Sequence, residues 1–341
     1  MHGNTTLRHT NTSILSVTAV DAPTVVTSDQ IDERLQPTYD RLGVRAGLLE
    51  EVAGISERRW WPEGLLFSEA AAMAGEQAIV ESGIDRDRIG LLVDTSVCRD
   101  HLEPSAAVAV HHALGLSTAC INFDLANACL GFINAMSLAA TMIDAGQIEY
   151  ALIVDGEGSR RPQEATIARL SRPESKVEDL FAEFATLTLG SGSAAMVLGR
   201  TDEHPDGHQV LGGEARTGSQ HHQLCVGDMD SMRTDTAALL EAGLGVADDT
   251  WVAAARNGWD WNTADHYIMH QISSVHTTLM AKRIGIDPAK APLTFPTLGN
   301  IGPASIPVTL ARHAPNIRRG ERVILTGIGS GINTTGTELR W

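Results

Sequence analysis

The sequence predicts an α/β fold with buried sheets, assembled from two related halves. Strand-like apolar runs alternate with helix-like runs along most of the 341 residues, which is typical of that class. A hydrophobic content of 43% with only 4% aromatics favours small side chains that pack helices closely against sheets. A shift of 173 residues moves Asn127 onto Asn300 and brings several other features into register, which indicates an internal duplication.

Composition and charge exclude several classes of function. With 26 Lys+Arg against 42 Asp+Glu, the formal net charge is −16, which disfavours binding to nucleic acid or to anionic membranes. The four cysteines form no C-x-x-C pair, so a zinc site is not indicated. There is no run of about 18 apolar residues that would suggest a membrane helix. The segment Met1–Thr12 is polar and lacks the apolar stretch that is typical of a leader peptide. We therefore predict a mobile tail over residues 1–12 and a location in the cytoplasm.

The elements of the first half follow from periodicity and capping residues. Ser13–Val20 is the first strand, and the Thr27-Ser28-Asp29-Gln30 capping box opens a helix that Pro37 should end or kink. Ser68 is expected to cap a helix that Gly83 stops. Further elements are a strand at Ile89–Asp94, a helix at Pro104–Leu114, a strand at Ala119–Leu125, a helix at Leu130–Ala145 and a strand at Tyr150–Val154.

The first half closes with a charged stretch, Arg160–Phe184, that indicates an irregular excursion over a site. The elements predicted after it are a strand at Ala194–Leu198, helices at Asp230–Glu241 and Asp248–Asn257, a strand at His266–Met269, a helix at Ser273–Ile284, a strand at Pro292–Phe295, a helix at Pro303–Arg312, a strand at Arg322–Thr326 and a last strand to Trp341. We place the two halves at residues 13–185 and 186–341.

The duplication predicts where a site would lie. The same shift moves Leu152 onto Leu325 and Gly156-Glu157-Gly158 onto Gly329-Ser330-Gly331. Corresponding helix starts of two related halves face each other across a pseudo-two-fold axis. We therefore expect the segments around Asn127 and Asn300 to meet at one site.

Cys129 is the candidate nucleophile of that site. It stands between a strand and an apolar helix, where N–H groups at a helix start stabilise an anion, so we expect a lowered thiol pKa. Taken alone, Cys129 would be better interpreted as a buried core cysteine. Two downstream residues favour catalysis: His270, at the end of a strand, and Asn300, in Gly299-Asn300-Ile301-Gly302-Pro303.

These motifs resemble those of the thiolase superfamily, in its β-ketoacyl-acyl carrier protein synthase III branch. The resemblance spans nearly the whole chain after Thr12. It is carried by Asn127-Ala128-Cys129-Leu130-Gly131-Phe132, His270-Gln271, Gly299-Asn300-Ile301-Gly302-Pro303-Ala304-Ser305 and Gly327-Ile328-Gly329-Ser330-Gly331. It implies a five-layer αβαβα fold made of two duplicated halves. Gly131 stands where this branch leads us to expect a somewhat larger residue.

Within this branch the chain resembles the OleA type, the head-to-head acyl-CoA condensing enzymes of long-chain olefin biosynthesis. The segments that carry this likeness are Glu33–Gly43, Asp94–Ser105, Ala128–Leu130, Val154–Glu157 and Asn300–Pro307. Glu103 precedes Cys129 by 26 residues. In the OleA type a glutamate at this place reaches the active site of the neighbouring subunit of a homodimer and is the proposed base.

The resemblance also implies a mechanism. Cys129 takes the acyl group of a first fatty acyl-CoA, with the N–H groups of Cys129 and Ser330 holding the oxyanion. His270 and Asn300 polarise a second acyl-CoA, and Glu103 removes its α-proton. Condensation and hydrolysis then give a 2-alkyl-3-keto acid. No cofactor is implied beyond coenzyme A thioesters as substrates, and the implied partners are a second copy of the chain and later enzymes of the olefin pathway.

Three other functions remain open from the sequence. A malonyl-dependent synthase III would use the same Cys-His-Asn set without Glu103, which would then only favour a helix N-terminus. Papain-like proteases also carry Cys, His and Asn in this order, and His270 follows Cys129 by 141 residues. A binding protein without catalysis is the third.

Several other side chains have two interpretations. We expect Asp155 and Glu157 to be solvated loop charges, and Cys98, Cys120 and Cys225 to be structural. Core packing is the default interpretation for a further set of residues that could instead line acyl tunnels, namely Met73, Met136, Met232, Met269 and Leu239-Leu240.

Overall fold

The computed structural model describes residues 6–341. The elements that precede the middle of the chain are β1 (Thr6–Arg8), β2 (Thr12–Asp21), β3 (Thr24–Thr27), α1 (Ser28–Leu42), α2 (Leu48–Glu51), β4 (Glu57–Trp60), α3 (Phe67–Ser82), β5 (Ile89–Asp94), α4 (Ala106–Ala113), β6 (Ile121–Asp124), α5 (Gly131–Asp144), β7 (Tyr150–Glu157), α6 (Arg160–Leu170) and α7 (Val177–Leu187). Those that follow are β8 (Gly192–Arg200), β9 (His208–Thr217), β10 (Cys225–Gly227), β11 (Met232–Thr234), α8 (Thr236–Arg256), β12 (His266–Met269), α9 (Ser274–Ile284), α10 (Phe295–Leu298), α11 (Ser305–His313), β13 (Arg322–Gly329) and β14 (Asn333–Arg340).

Two related halves of one sheet enclose the middle of the molecule. Within residues 6–341 the strand order is β12-β13-β14-β9-β2-β8-β7-β5-β6, with β1 beside β9. Only Ser13 with Gln209 and Ile14 with His208 pair across the junction of β2 and β9. β2-β8-β7-β5-β6 on one side and β9-β14-β13-β12 on the other are therefore the two copies.

The helices complete five layers. α5 and α11 pack in the middle, where residues such as Phe132 and Ile306 share one core with Ile153 and Leu325 from opposite halves of the sheet. α3 and α4 cover the outer face of the first half, and α8 and α9 cover the outer face of the second. The αβαβα fold predicted from the sequence is confirmed.

The two halves differ at one edge. The predicted strand Pro292–Phe295 would be the counterpart of β6, but the structure has no strand there and α10 begins at Phe295. The reason is the side chain of Gln271. Its Oε1 accepts the N–H groups of Thr294 (2.8 Å) and Phe295 (3.2 Å), and its Nε2 donates to the carbonyl of Pro292 (2.8 Å). A side chain thus takes the backbone groups that a neighbouring strand would need.

The prediction of a mobile tail over residues 1–12 is wrong for residues 6–12. Residues 1–5 lie outside the described residues. Thr6–Arg8 pairs antiparallel with Gly212–Glu214 of β9. The hydroxyl of Thr6 also donates to Glu214 at 2.5 Å. A polar segment therefore forms a strand because an existing edge supplies its backbone partners.

The predicted boundary between residues 185 and 186 also needs correction. It assigns β8 to the second half, whereas β8 pairs with β2 and β7 of the first. The excursion predicted at Arg160–Phe184 consists of α6 and most of α7. Apolar residues of both helices, including Ile167 and Leu180, pack with residues of α1 in one core.

Three helix ends differ from expectation. Pro37 lies inside α1, which continues to Leu42 because Leu35 and Tyr39 on either side of it are buried in that core. α3 begins at Phe67, before Ser68, because the carboxylate of Asp100 accepts the N–H groups of both residues.

The third difference concerns the helices predicted at Asp230–Glu241 and Asp248–Asn257. They are one helix, α8, which Asp235 caps through the N–H of Ala238. No helix among residues 6–341 is long and apolar enough to cross a membrane.

Candidate active site

Cys129 lies on a sharp turn between β6 and α5. The N–H of Leu130 donates to the carbonyl of Asn127 at 3.0 Å, and Ala128 has a φ of +45°. That left-handed conformation is unusual for a residue with a Cβ and costs on the order of 1–3 kcal/mol. The turn is therefore held in a strained form by its surroundings.

The start of α5 approaches the neighbouring strands closely. A Cβ on Gly131 would lie 2.9 Å from the carbonyl oxygen of Thr95 and 3.1 Å from that of Leu125. The residue at this position therefore has to be glycine in this chain. The close approach fixes the height of the turn that carries Cys129.

The thiol of Cys129 is not activated at rest, which contradicts the expected lowering of its pKa. Burial first, and then the neighbouring Cys225, Glu157 and Asp155, raise the pKa of Cys129 to about 12. α5 begins only at Gly131, so Cys129 lies outside the helix and desolvation outweighs the helix dipole. The proton must leave as the sulfur attacks.

His270 follows β12 directly, and its N–H donates to the carbonyl of Thr326 at 2.8 Å. A Cβ on Gly327 would lie 3.0 Å from the Cβ of His270, so a glycine there makes room for the ring. Burial, and then His276, lower the pKa of His270 to about 4. The ring is therefore neutral near pH 7, and within residues 6–341 neither Nδ1 nor Nε2 has a hydrogen-bond partner.

Asn300 is fixed by its backbone and by one side of its amide. Its N–H donates to Thr188 (2.9 Å), and its carbonyl accepts from Gly190 (2.8 Å). Its Oδ1 accepts the N–H of Gly302 at 3.0 Å. Its Nδ2 makes no hydrogen bond to any described residue, so one N–H donor is available to a ligand.

The glycine loop after β13 meets the Cys129 turn. A Cβ on Gly329 would lie 3.2 Å from the carbonyl oxygen of Asn127. Nδ2 of Asn333 donates to Oδ1 of Asn127 at 3.1 Å. These contacts place the backbone of Ser330 beside the turn that carries the thiol.

One cavity joins these residues. It has a volume of about 520 Å³, within the usual range of about 300–1,000 Å³ for small-molecule sites. Cys129, His270, Asn300 and Ser330 all line it. It extends between α8 and α9 along mostly apolar side chains, namely Leu239, Leu240, Ala247, Trp251, Met280 and Ile284.

The methionines proposed for tunnels divide into two groups. Met232 and Met269 line the cavity, as do Leu239 and Leu240. Met136 belongs to the central core instead, and Met73 is exposed on α3.

Glu103 is not among the residues that line the cavity of its own chain. It is exposed, in the segment between β5 and α4. The neighbouring Leu102 is fully exposed, and Ile121 on the edge strand β6 is 53% exposed.

The sequence interpretation of Asp155 and Glu157 is wrong. Both side chains are buried, and Glu157 lines the cavity. Burial raises the pKa of Glu157 to about 7 and that of Asp155 well above its usual range. The signal was available: the shift that relates the halves places Glu157 on Ser330, a residue already assigned to the site.

Two of the cysteines taken as structural also line the cavity, namely Cys98 and Cys225. Within residues 6–341 no group of three or more His, Cys, Asp or Glu side chains has the arrangement of a metal site.

Comparison with known protein families gives two matches. The 3-oxoacyl-[acyl-carrier-protein] synthase III model matches residues 123–162, and the model of its C-terminal part matches residues 254–341. The first match covers the Cys129 turn, and the second covers His270 and Asn300.

Full-length relatives are similar over nearly the whole chain. The acyl-CoA:acyl-CoA alkyltransferase of Xanthomonas campestris is 45% identical over 97% of this chain and 99% of its own length. That of Shewanella oneidensis is 35% identical over 94% and 96%. The β-ketoacyl-[acyl-carrier-protein] synthase III of Rhodospirillum rubrum is 28% identical over 90% and 92%.

Solved structures of OleA from Xanthomonas campestris superpose with a TM-score of 0.96 at 44% identity, covering 98% of this chain and 100% of that one. One structure of that protein holds lauric acid and lauroyl-CoA. Others carry substitutions of a glutamate at position 117, a cysteine at 143 and a histidine at 285 of that protein. The first two positions are 26 apart, as Glu103 and Cys129 are, and the last two are 142 apart, against 141 between Cys129 and His270.

Five layers and a cavity lined by a protonated thiol, a neutral histidine and an amide donor define an acyltransferase of the thiolase superfamily. Within that superfamily the chain belongs to the acyl-CoA:acyl-CoA alkyltransferase family, and solved structures similar to it include OleA from Xanthomonas campestris.

Proposed function

We propose that this chain joins two long-chain fatty acyl-CoA molecules head to head. The reaction is a non-decarboxylative Claisen condensation through an acyl-Cys129 intermediate, and it yields a 2-alkyl-3-keto acid. The observation that carries the proposal is the cavity, in which one nucleophile and one pair of free donors open onto an apolar chamber. The lauroyl-CoA bound to the Xanthomonas relative supports the substrate class.

The first half-reaction uses the Cys129 turn. The sulfur attacks the thioester carbonyl, and the N–H groups of Cys129 and Ser330 hold the oxyanion until coenzyme A leaves. The acyl chain enters the apolar chamber between α8 and α9. Because the resting thiol is protonated, its proton passes to a neighbouring acceptor as the S–C bond forms.

The second half-reaction needs an enolate. The unpaired N–H of neutral His270 and the Nδ2 donor of Asn300 bind the thioester oxygen of the second acyl-CoA, so that charge developing there is stabilised. A fatty acyl-CoA has no carboxylate to lose, unlike a malonyl thioester. A base must therefore remove its α-proton before the carbon attacks the Cys129 thioester.

We propose that this base is Glu103 of a second subunit in a homodimer. Its exposure and its absence from its own cavity support an action across an interface. The exposed Leu102 and Ile121 support an interface on the same side. The spacing shared with the substituted glutamate of the Xanthomonas protein points to the same residue.

The scheme uses coenzyme A thioesters as substrates and needs no other cofactor. We place it in the cytoplasm, with later enzymes of long-chain olefin formation as partners. The support for this setting is the likeness to the OleA family.

The test is incubation of the pure protein with myristoyl-CoA alone, followed by mass spectrometry of protein and products. We expect a myristoyl adduct on Cys129 and a condensed β-keto acid, or the ketone formed when it loses CO₂. Cys129→Ala is the control and should give neither.

The malonyl-dependent alternative predicts another result. The adduct would form, but a condensed product would appear only after a malonyl donor is added. That outcome would refute head-to-head condensation and leave the chain a decarboxylating synthase.

A further inference from the structure

Glu157 is a buried carboxylate in the cavity that the proposed condensation does not use. Its side chain is only 5% exposed. It lies at the end of β7, and its backbone carbonyl accepts the indole N–H of Trp61 at 2.9 Å. Its position is therefore fixed from both the strand and a neighbouring aromatic residue.

The carboxylate of Glu157 is held in place by its neighbours. Oε1 accepts the N–H of Val97 at 2.5 Å. Hydrogen bonds from the side chain and the backbone of Cys98 also favour the charged carboxylate, although burial outweighs them. Glu157 contributes to the cavity wall, so a carboxylate in a fixed position borders the space that a ligand or a water molecule would occupy.

Glu157 also lies close to the residues that would hold a thioester. A Cβ on Gly302 would lie 3.4 Å from its carboxyl carbon, and the N–H of Gly302 is the donor to Oδ1 of Asn300. On its other side, the carboxylate is near enough to contribute to the raised pKa of Cys129. The carboxylate therefore lies between the nucleophile and the Asn300 loop.

The other ionisable groups of the cavity are less suited to take a proton from water. Burial lowers the pKa of both His270 and His276, which makes each of them a weak base. Asp228 is exposed, and its Oδ1 is already bound to the N–H groups of Asp230 and Ser231. Burial raises the pKa of Glu157 to about 7, where a general base is most effective near neutral pH.

We infer that Glu157 is the base that activates water for hydrolysis of the condensed 2-alkyl-3-ketoacyl-CoA. This inference rests on the proposed function. It assigns the last step, release of the keto acid, to a residue of the same subunit as Cys129, separate from the residue that makes the enolate.

The step balances as follows. The oxygen of water attacks the thioester carbonyl carbon, and a proton of that water passes to the carboxylate of Glu157. The Nδ2 donor of Asn300 and the ring N–H of His270 hold the oxyanion. The C–S bond then breaks, and the proton on Glu157 passes to the coenzyme A thiolate. The carboxylic acid product ionises to solvent.

The test supplies 2-alkyl-3-ketoacyl-CoA directly and follows coenzyme A release in a single turnover. We expect the wild type to hydrolyse this thioester. The hydrolysis rate of Glu157→Gln should be lower by about 10²-fold or more. Acylation of Cys129 by myristoyl-CoA is followed separately, because Glu157 also contributes to the raised pKa of that thiol. With myristoyl-CoA as substrate, the variant should release one coenzyme A per condensed product, where the wild type releases two.

Glu338→Gln is the matched control, because Glu338 is also a buried glutamate on a strand but does not line the cavity. It should hydrolyse the thioester as the wild type does. If Glu157→Gln does not fold, Glu157→Asp replaces it. Aspartate keeps the charge but is one methylene shorter, and we expect at least about ten-fold slower hydrolysis from its misplacement.

Wild-type hydrolysis rates in the Glu157 variant, or no hydrolysis by the wild type, would overturn the inference and leave the condensation standing. Failure of the wild type to condense myristoyl-CoA would instead overturn the proposed function. Hydrolysis of the supplied thioester is measured separately, so the two failures are distinguishable.

Discussion

Cys129 lies beside a second thiol and two buried carboxyl groups, and each of them disfavours a negative charge on its sulfur. A permanent thiolate would be poised to react with any electrophile that reached the cavity. A thiol that loses its proton only during attack reacts when a thioester is held against the oxyanion donors. The chemistry at this residue is therefore controlled by substrate binding.

Glu157 gives a residue-scale prediction about stability and pH. Its pKa is about 7 in the folded chain against an ordinary value of 4.5, so the folded chain binds this proton more tightly than the unfolded chain. Wild-type stability should therefore fall as pH rises from about 4.5 to 7. Glu157→Gln has no such proton and should gain on the wild type by roughly 2–3 kcal/mol between pH 5 and pH 8.

The measurement is urea unfolding of both proteins at the two pH values. His270, whose lowered pKa favours stability at higher pH, is present in both proteins and cancels in the difference. Asp155 does not cancel fully, because the charge of Glu157 contributes to its raised pKa, and it changes the difference in the same direction. If the difference in unfolding free energy between the two proteins is the same at pH 5 and pH 8, Glu157 has an ordinary pKa in the folded state.

Among the elements, α8 combines a structural and a functional face. It packs on β9 and β14 with its buried side, which includes Gly243, while Gly245 is exposed. Gly243 lines the cavity, and a Cβ there would lie 3.3 Å from Cδ1 of Ile328. A Cβ on Gly245 would meet nothing within 4 Å. The two glycines are a matched pair for testing what the cavity accommodates.

We expect Gly243→Val to shift the preferred substrate toward shorter acyl chains, because its side chain fills part of the chamber. With an equimolar mixture of decanoyl-CoA and myristoyl-CoA, the ratio of products should change by about ten-fold or more. Gly245→Val makes the same change of helix propensity on the exposed face and should leave the ratio unchanged. Equal effects of the two variants would mean that the α8–α9 chamber does not hold the acyl chain.

At the scale of the whole molecule, the active site proposed here is complete only in a dimer. Glu103 and Cys129 can therefore be separated onto different chains. The test is to co-express Cys129→Ala and Glu103→Ala chains with two different tags and to isolate the mixed dimer. One of its two sites has Cys129 from one chain and Glu103 from the other, so it should retain about half of the wild-type condensation activity.

Dimers of either variant alone should be inactive in condensation. An inactive mixed dimer would place Glu103 in the site of its own chain. A fully active Glu103→Ala dimer would remove this residue from the mechanism altogether.

The duplicated architecture was largely predictable from the sequence. The alternation of strands and helices, the shift of 173 residues and the positions of Cys129, His270 and Asn300 depend on local patterns of apolar residues and glycines. Such patterns are short-range, and both halves repeat them. The five layers, and a site formed by the Cys129 turn and the glycine loop after β13, therefore follow from the sequence.

Where prediction failed, the partner that decides the local structure is distant in sequence. The carboxylate of Asp100 accepts the N–H at the start of α3, although Asp100 lies 33 residues further along the chain. Gln271 takes the backbone groups of the segment before α10, and an exposed edge of β9 recruits β1. No local pattern contains these partners.

The sequence by itself determined the fold class and the order of the three residues Cys129, His270 and Asn300, because these depend on periodicity and on motifs. Only the tertiary structure decided which of the ionisable groups at the site carry a proton. The helix start predicted an acidic thiol at Cys129 and the charges of Asp155 and Glu157 predicted a solvated loop, but burial gave the opposite result for each. Desolvation depends on everything that surrounds a group in space, and that is known only once the chain is folded.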